Sequence, residues 1–318
     1  MEISAATTGG LAAPPEPRPA AGARFVLLGP LEIQDGHRVR TPRAHKPRVL
    51  LAILLVRAGT VVSTDTLISE LWGDRPPRTA LKALRVYVSQ LRRVLAALPG
   101  APVTATGPGS SAGAGTGPLH GGGHGSHRAG GDGAGAALRP VIVTRDPGYR
   151  LDLPPDSLDL RQFERLCSLG RAARDAGDLA GALGRYREAT ALWKGPALGD
   201  VRSSLLLDGV ALRLEESRVT ALERRLELEI RLGGHSEVIS ELRQLAAEYP
   251  LRERIHYQLM VALSLAGRRG DALQTFRELR GTFVSELGVE PSPDLQRLHQ
   301  SLLSADRSAV PSPEFWER

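Results

Sequence analysis

Apolar residues recur every three or four positions in residues 76–98, PPRTALKALRVYVSQLRRVLAAL. This spacing places them on one stripe of a helix and predicts that the helix packs through that stripe. We expect Asp74 to cap the helix and Pro76 or Pro77 to lie in its first turn, where a missing N–H costs nothing. The positions that form the stripe are Leu81, Leu84, Val88, Leu91 and Leu95.

The opposite side of this predicted helix is basic and contains no acidic residue. A cationic helix of this size fits the major groove of duplex DNA. The alternative is an arginine-rich face that is only solvated, and the helix alone does not decide between the two. The candidate DNA-contacting residues are Arg78, Thr79, Lys82, Arg85, Ser89, Arg92 and Arg93.

The pattern before the basic helix predicts a small α+β unit. Residues 25–33, FVLLGPLEI, are typical of a strand broken at a Gly-Pro pair, and residues 38–40 alternate as a returning strand would. Residues 47–58 are apolar almost all round, which predicts a core helix that ends at Gly59.

A second helix, capped by Ser63 or Thr64, comes next. Together with the loop at 73–77 and the basic helix, it has the order of a helix-turn-helix with a long connection. Residues 141–144 and 149–153 then alternate around a Pro-Gly turn, which predicts a hairpin.

A hairpin that follows a basic helix is typical of a winged helix, whose wing contacts phosphate or the minor groove. Between helix and hairpin, residues 99–139 are rich in Gly, Ala, Ser and Pro and lack periodicity, which predicts a flexible insertion inside the domain. The wing residues that we expect at the DNA are Arg145, Tyr149 and Arg150.

From Leu158 the sequence predicts continuous helix with internal repetition. Segments that begin at Gly177, Gly234 and Gly267 share a small or aliphatic residue five positions later, and each follows another helical segment. Such units stack because none buries its apolar face alone, so we predict a tetratricopeptide-like superhelix. The small or aliphatic residues are Ala182, Ile239 and Ala272, and the aromatic residues expected in the core are Tyr186, Trp193 and Phe276.

The charge of the chain is unevenly distributed. The 318 residues carry a net charge of +6. Residues 24–98 contain 13 basic and 5 acidic residues, whereas residues 156–304 contain 21 and 22. The basic excess therefore lies in the N-terminal third, which indicates a polyanionic partner for that part. A hydrophobic content of 42% is enough for two domains with separate cores.

Several function classes find little support in the sequence. The single cysteine, Cys167, allows no intrachain disulfide, and its apolar neighbours favour burial over reactivity. We expect no signal peptide, membrane span or cofactor, and hence a cytoplasmic protein. The flexible surroundings of His120, His124 and His127 disfavour a metal site, because they would not hold the ligands in a fixed geometry. We find no nucleophile–base pair and no phosphate-binding loop in the sequence, so an enzyme is the least favoured class.

At this point the chain resembles a known family, the Streptomyces antibiotic regulatory proteins. The resemblance to their OmpR-like winged-helix DNA-binding domain is carried by VVSTDTLISELWGDRPPRTALKALRVYVSQLRRVL and VIVTRDPGYRLDL. The resemblance to their bacterial transcriptional activation domain is carried by DLRQFERLCSLGRAARDAGDLAGALGRYREATALWKGPALGDV and YPLRERIHYQLMVALSLAGRRGDALQTFRELRGTFVSELGVEPSPDLQRLHQSLL. It covers about residues 24–98 and 140–304.

The resemblance implies an α+β winged helix of OmpR type followed by an all-α, tetratricopeptide-like activation domain. We expect a disordered tail at 1–22, the winged helix at 23–153, the activation domain at 156–304 and a tail at 305–318. The chain departs from the family pattern at residues 99–139, where family members have a shorter link. It lacks a P-loop and any further C-terminal domain, and so resembles the small members.

The family also implies a function, that of an activator of a secondary-metabolite gene cluster. Such an activator binds direct repeats near the −35 region, as a homodimer on DNA, and contacts RNA polymerase holoenzyme. Two rival readings remain: an effector-sensing repressor with the same DNA domain, and a scaffold that binds no DNA. The residues expected to face the polymerase are Trp72, Gly73, Asp74, Arg75, Pro76 and Pro77.

Overall fold

The computed structural model describes residues 22–36, 38–102 and 138–304. Small sheets and three helices come first, and an all-helical array follows. The predicted tails, apart from Gly22, lie outside the described residues, and so do the three histidines considered for metal binding.

The described chain begins with an antiparallel sheet of β1 (Arg24–Val26), β2 (Glu32–Asp35) and β3 (Arg38–Val39), in that order. Its pairing sets Phe25 opposite Ile33, and both side chains are fully buried. The Gly-Pro pair lies between β1 and β2, so the predicted break is confirmed.

Three helices follow the first sheet. Helix α1 (His45–Val56) is buried continuously from Val49 to Leu55, which confirms the predicted core helix. After β4 (Val61–Ser63) comes α2 (Thr64–Trp72), whose N-terminus is capped by the Ser63 hydroxyl, which accepts a hydrogen bond from the Thr66 N–H at 3.1 Å. The basic helix is α3 (Ala80–Ala96).

Helix α3 begins later than the sequence predicts. Its N-cap residue is Thr79, so the expected cap at Asp74 and the expected first turn at Pro76 or Pro77 are wrong. Pro77 disfavours helical geometry at the residue before it, and the helix therefore starts beyond the proline pair. Ala80 opens the helix and donates its N–H to the Pro77 carbonyl at 2.8 Å.

The apolar stripe of α3 is confirmed except at one end. Ala80, Leu84, Val88, Leu91 and Leu95 are buried, whereas the predicted Leu81 is 42% exposed. At about 100° per residue, position 81 lies at the edge of the stripe and in the first turn, where the smaller Ala80 faces the core instead.

The ends of the predicted insertion are ordered. β5 (Ala101–Pro102) and β6 (Leu138–Arg139) pair in parallel, and the Arg139 guanidinium donates to the Ala96 carbonyl at 2.8 Å. The prediction of a structureless stretch is therefore wrong at both ends, because these residues pair with each other. Residues 103–137 lie outside the described part.

The predicted hairpin is confirmed as β7 (Val141–Arg145) and β8 (Gly148–Asp152), which join β4 in an antiparallel sheet of order β4-β8-β7. Gly148 lies so close to β4 that a Cβ there would be 1.9 Å from the Val62 carbonyl oxygen. Strand β8 therefore lies directly against β4, the strand that leads into α2.

The remainder of the described chain is helical. Two of the three predicted repeat segments, those that begin at Gly177 and Gly267, form the second members of helical pairs, with Ala182 and Ala272 fully buried, as a tetratricopeptide-like arrangement requires. The helix of the segment that begins at Gly234 packs instead mainly on the helix that follows it. The helices are α4 (Asp159–Asp175), α5 (Leu179–Ala191), α6 (Leu205–Arg231), α7 (Ile239–Glu248), α8 (Glu253–Leu265), α9 (Arg269–Leu287) and α10 (Pro293–Leu303). Among these helices and the earlier ones, none is long and apolar enough to cross a membrane.

The apolar cores do not follow the predicted boundary between two domains. One core runs from Ala23 in the first sheet through the winged helix to Leu228 in α6, and a second joins α6 to α10. The expectation of one core for each domain is wrong, because α4, α5 and the first part of α6 pack on the winged helix.

Backbone hydrogen bonds reinforce this shared core. The Asp159 carboxylate at the start of α4 accepts from the N–H groups of Leu27 and Leu28 at 2.9 Å. Leu27 and Leu28 in turn accept from the N–H groups of Leu198 and Lys194. The segment after β1 is therefore held by the helical part through both its donors and its acceptors.

Candidate nucleic-acid interface

The exposed side of α3 forms one continuous basic face, which we call the basic face and define as Lys82, Arg85, Ser89, Arg92 and Arg93. Lys82, Ser89 and Arg93 lie opposite the buried stripe, since each is about half a turn from Leu84, Leu91 or Leu95. All five residues are exposed. The core therefore holds α3 with this face outward.

Two further candidates, Arg78 and Thr79, lie in the turn that leads into α3 and are also exposed. They extend the basic face past the helix N-terminus. The prediction that they belong to the same helix is wrong, because α3 begins at Ala80, but they remain on the side of the fold where the basic face begins.

Arg92 differs from the other basic residues because it contacts the wing. Its Nε donates to the Ile142 carbonyl at 3.0 Å and its Nη2 donates to the Thr144 hydroxyl at 2.8 Å. The guanidinium carbon also lies 5.9 Å from the centroid of the Tyr149 ring, a cation–π distance. Arg92 therefore connects α3 to β7 and β8.

Arg92→Ala is expected to lower the free energy of unfolding by about 1–2 kcal/mol, because two hydrogen bonds between α3 and the wing are lost. Arg92→Lys keeps the charge but not the planar fork and should be destabilised by a similar amount. Chemical denaturation of the full chain measures both. Wild-type stability of both variants would show that these contacts do not hold the wing.

The three predicted wing residues have different environments. Arg145 is exposed at the end of β7, as expected for a residue that contacts DNA. Tyr149 is only 9% exposed and belongs to the core, so its predicted contact with DNA is corrected to a supporting one beneath Arg92. The alternation of β8 turns Tyr149 and Leu151 inward together.

Arg150 points to the other side of β8 and is paired with Asp152. Nε of Arg150 lies 2.7 Å from one carboxylate oxygen and Nη2 lies 2.9 Å from the other. Hydrogen bonding to Asp152 and its charge raise the pKa of the Arg150 guanidinium. Arg150 is therefore already paired within its own strand, and its contact with DNA phosphate stays a prediction.

The loop predicted to face the polymerase is exposed from Gly73 to Pro77. Trp72 differs, since it is half-buried and stacks on Tyr87 at 6.2 Å with Lys46 5.3 Å from its ring centroid. Trp72 therefore anchors the loop to α1 and α3, and the five residues after it are the part of the loop that a partner could contact.

The sequence analysis did not identify two residues of the candidate interface on α3 and the wing. Val86 is 47% exposed between Lys82 and Ser89, and its position four residues after Lys82 was a usable signal. Thr144 holds Arg92 across 52 residues of sequence, and no local pattern could have identified that pairing. Within the described ranges, no group of three His, Cys, Asp or Glu residues could hold a metal ion.

Comparison with known proteins supports both halves of this arrangement. Residues 41–109 match the model of the C-terminal domain of transcriptional regulatory proteins. Residues 158–303 match the model of the bacterial transcriptional activator domain. The first match contains α1 to α3, and the second covers almost the whole helical array.

Similar proteins align over most of the chain. Regulatory protein DnrI of Streptomyces peucetius is 38% identical over 280 residues, which are 88% of this chain and 92% of the relative. Transcriptional regulator RedD of Streptomyces coelicolor is 36% identical over 280 residues, 88% of this chain and 70% of that protein. A structure of Mycobacterium tuberculosis EmbR with a low-affinity phosphopeptide has a TM-score of 0.71 at 30% identity, covering 89% of this chain and 65% of that one.

A winged helix with an outward basic face, joined to a helical activator domain, defines a transcriptional regulator and not an enzyme. With the extent of the similarity to DnrI and RedD, the chain belongs to the Streptomyces antibiotic regulatory protein family.

Proposed function

We propose that this regulator is a sequence-specific DNA-binding activator of a secondary-metabolite biosynthetic gene cluster. The observation that carries the proposal is the geometry of α3, whose apolar stripe is buried from Leu84 to Leu95 and whose opposite side is exposed, basic and free of acids. Binding to the bacterial chromosome would place the protein in the cytoplasm.

In this proposal α3 enters the major groove with the basic face toward the bases. Arginine and lysine contacts to phosphate supply salt-dependent affinity. An arginine that reaches the O6 and N7 atoms of guanine adds discrimination of about 1–3 kcal/mol. Arg85 and Arg93 have the length for such contacts, and Val86 can pack on a thymine methyl group.

The wing would contact the DNA beside α3. Arg145 is the exposed wing residue whose guanidinium is available to a phosphate or to the minor groove. Arg92 serves the same purpose indirectly, because its bonds to β7 fix the wing relative to α3. The two DNA-contacting elements would therefore approach the duplex as one rigid unit.

We further propose that two protomers bind direct repeats near the −35 region. Sites about one helical turn apart would place both protomers on the same face of the duplex. The exposed loop at 73–77 would then face RNA polymerase holoenzyme, since it projects from the end of α2 beside the basic face.

The test is footprinting of the full chain on the promoters next to its own gene, followed by transcription in vitro with purified holoenzyme. We expect protected direct repeats and a raised transcript yield. A double variant, Asp74→Ala with Arg75→Ala, should protect the same repeats without raising the yield. Absence of protection at low salt would refute DNA binding, and unchanged activation by the double variant would refute the role of the loop.

The second candidate is an effector-sensing repressor that uses the same winged helix. It is favoured by one observation, a cavity lined with arginine in the helical part. The same transcription assay separates the two, because a repressor lowers the yield from a promoter that holoenzyme already uses.

A further inference from the structure

A cavity of about 310 Å³ lies between α4, α5 and α6. None of its lining residues belongs to the winged helix, so it is separate from the proposed DNA site. Its apolar floor includes Phe163 and Cys167, both buried, and burial raises the pKa of the Cys167 thiol to about 11. The thiol is therefore protonated and belongs to the apolar surface.

Tyr186 of α5 also lines the cavity and is only 2% exposed. Its ring packs so closely on Gly170 that a Cβ there would lie 2.9 Å from the Tyr186 Cε2. The hydroxyl makes no hydrogen bond with the described residues, and its oxygen is not among their buried atoms that lack a partner, so it is open to the cavity. A phenol that opens into a cavity can donate to water or to an acceptor on a ligand.

Three arginines line the same cavity, namely Arg171, Arg174 and Arg224. Burial raises the pKa of Tyr186, and the charges of these three arginines act in the opposite direction, as expected when they face the phenol. Within the described residues Arg171 has no ion pair, Arg174 is paired with Asp175 at 3.1 Å, and Arg224 has a longer contact of 3.4 Å to Glu227.

The acidic residues of the lining offset only part of this positive charge. They are Glu164 and Glu216, against three arginines, and Glu216 is paired with Arg252 at 2.7 Å. The cavity thus offers guanidinium groups and a phenol above an apolar floor. That combination fits a ligand with one anionic end and an apolar body.

We propose that this cavity binds a small organic carboxylate, whose oxygens accept hydrogen bonds from the Tyr186 hydroxyl and the Arg224 guanidinium. Its apolar body would lie on Phe163 and Cys167. The apolar floor disfavours inorganic phosphate, which has the charge but nothing to bury there.

The experiment measures thermal unfolding and calorimetric binding of the full chain with acetate, benzoate, 2-naphthoate and inorganic phosphate at constant ionic strength. We expect stabilisation by the two aromatic carboxylates and none by phosphate. Tyr186→Phe should unfold at the wild-type temperature without ligand, because the hydroxyl has no internal partner, and should bind about tenfold more weakly. Arg185→Gln removes a charge from the outer surface of α5 and serves as the control.

No stabilisation by any carboxylate would overturn the proposal, and so would equal stabilisation by phosphate or unchanged binding by Tyr186→Phe. Arg224→Gln should also weaken carboxylate binding, and if that variant fails to fold, Tyr186→Phe still decides the outcome. The measurement contains no DNA, so its failure is distinct from failure of the proposed regulatory function.

Discussion

Arg93→Ala is expected to weaken binding of the full chain to its promoter repeats by about tenfold or more, without change in the free energy of unfolding. Arg93 lies opposite the buried stripe of α3 and is exposed. Loss of an arginine that reads a base costs about 1–3 kcal/mol. The measurement is a mobility-shift titration on specific and scrambled DNA, together with chemical denaturation.

Lys82→Ala provides a comparison on the same face. A lysine that contacts only phosphate supports all sequences alike, so its loss should weaken both DNAs equally and reduce the salt dependence by about one ion. The control is Arg280→Ala, which removes an equal charge from an arginine of α9 that is paired with Glu290. Full promoter binding by both Arg93→Ala and Arg92→Ala would contradict the assignment of the basic face.

Asp159→Ala is expected to lower the free energy of unfolding by about 3–5 kcal/mol. The carboxylate accepts hydrogen bonds from the backbone N–H groups of Leu27, Leu28 and Leu160 at 2.7–2.9 Å. Alanine leaves these donors without an acceptor at the contact between the first sheet and α4, and each unsatisfied group costs about 1–3 kcal/mol. Urea denaturation of the full chain gives the difference.

The control is Asp156→Asn, three residues earlier, since asparagine removes the charge and tolerates the φ of 58° at this position. The Asp156 carboxylate is 63% exposed and pairs with Arg165 on the surface, so its loss should cost about 1 kcal/mol or less. If both variants lose the same stability, the hydrogen bonds of Asp159 are not what joins the first sheet to α4.

Asp159 also makes stability depend on pH. Burial raises its pKa from 3.8 to about 6, against the opposing effect of its backbone hydrogen bonds. Between these values the folded chain holds a proton that the unfolded chain releases, so this group favours folding more as the pH falls. Relative to Asp159→Asn, the wild type should gain stability from pH 6 down to about 4 and then level off. The opposite slope would contradict the raised pKa.

The sequence predicts well those features that depend on neighbouring residues along the chain. The stripe of α3, the continuous burial of α1 and the repeat helices arise from local periodicity, and the structure confirms them. The basic face was predictable for the same reason, since an exposed side follows from a buried one on a helix.

Features that depend on distant partners were not predictable. Tyr149 and Arg150 are adjacent in sequence, yet one is buried beneath Arg92 and the other pairs with Asp152, and only the register of β8 decides which side each takes. Asp159 contacts Leu27 across 132 residues. The start of α3 was misplaced because the effect of Pro77 on the residue before it outweighed the capping signal at Asp74.

The single core from Ala23 to Leu228 has a consequence for truncation of the chain. A cut between residues 153 and 156 would leave apolar surfaces of both fragments in water, so a stable fragment that contains α3 must retain α4, α5 and much of α6. Bending between the two halves would require separating buried side chains. A protein bound at the helical end would therefore hold the basic face of α3 at a set orientation, without a hinge between them.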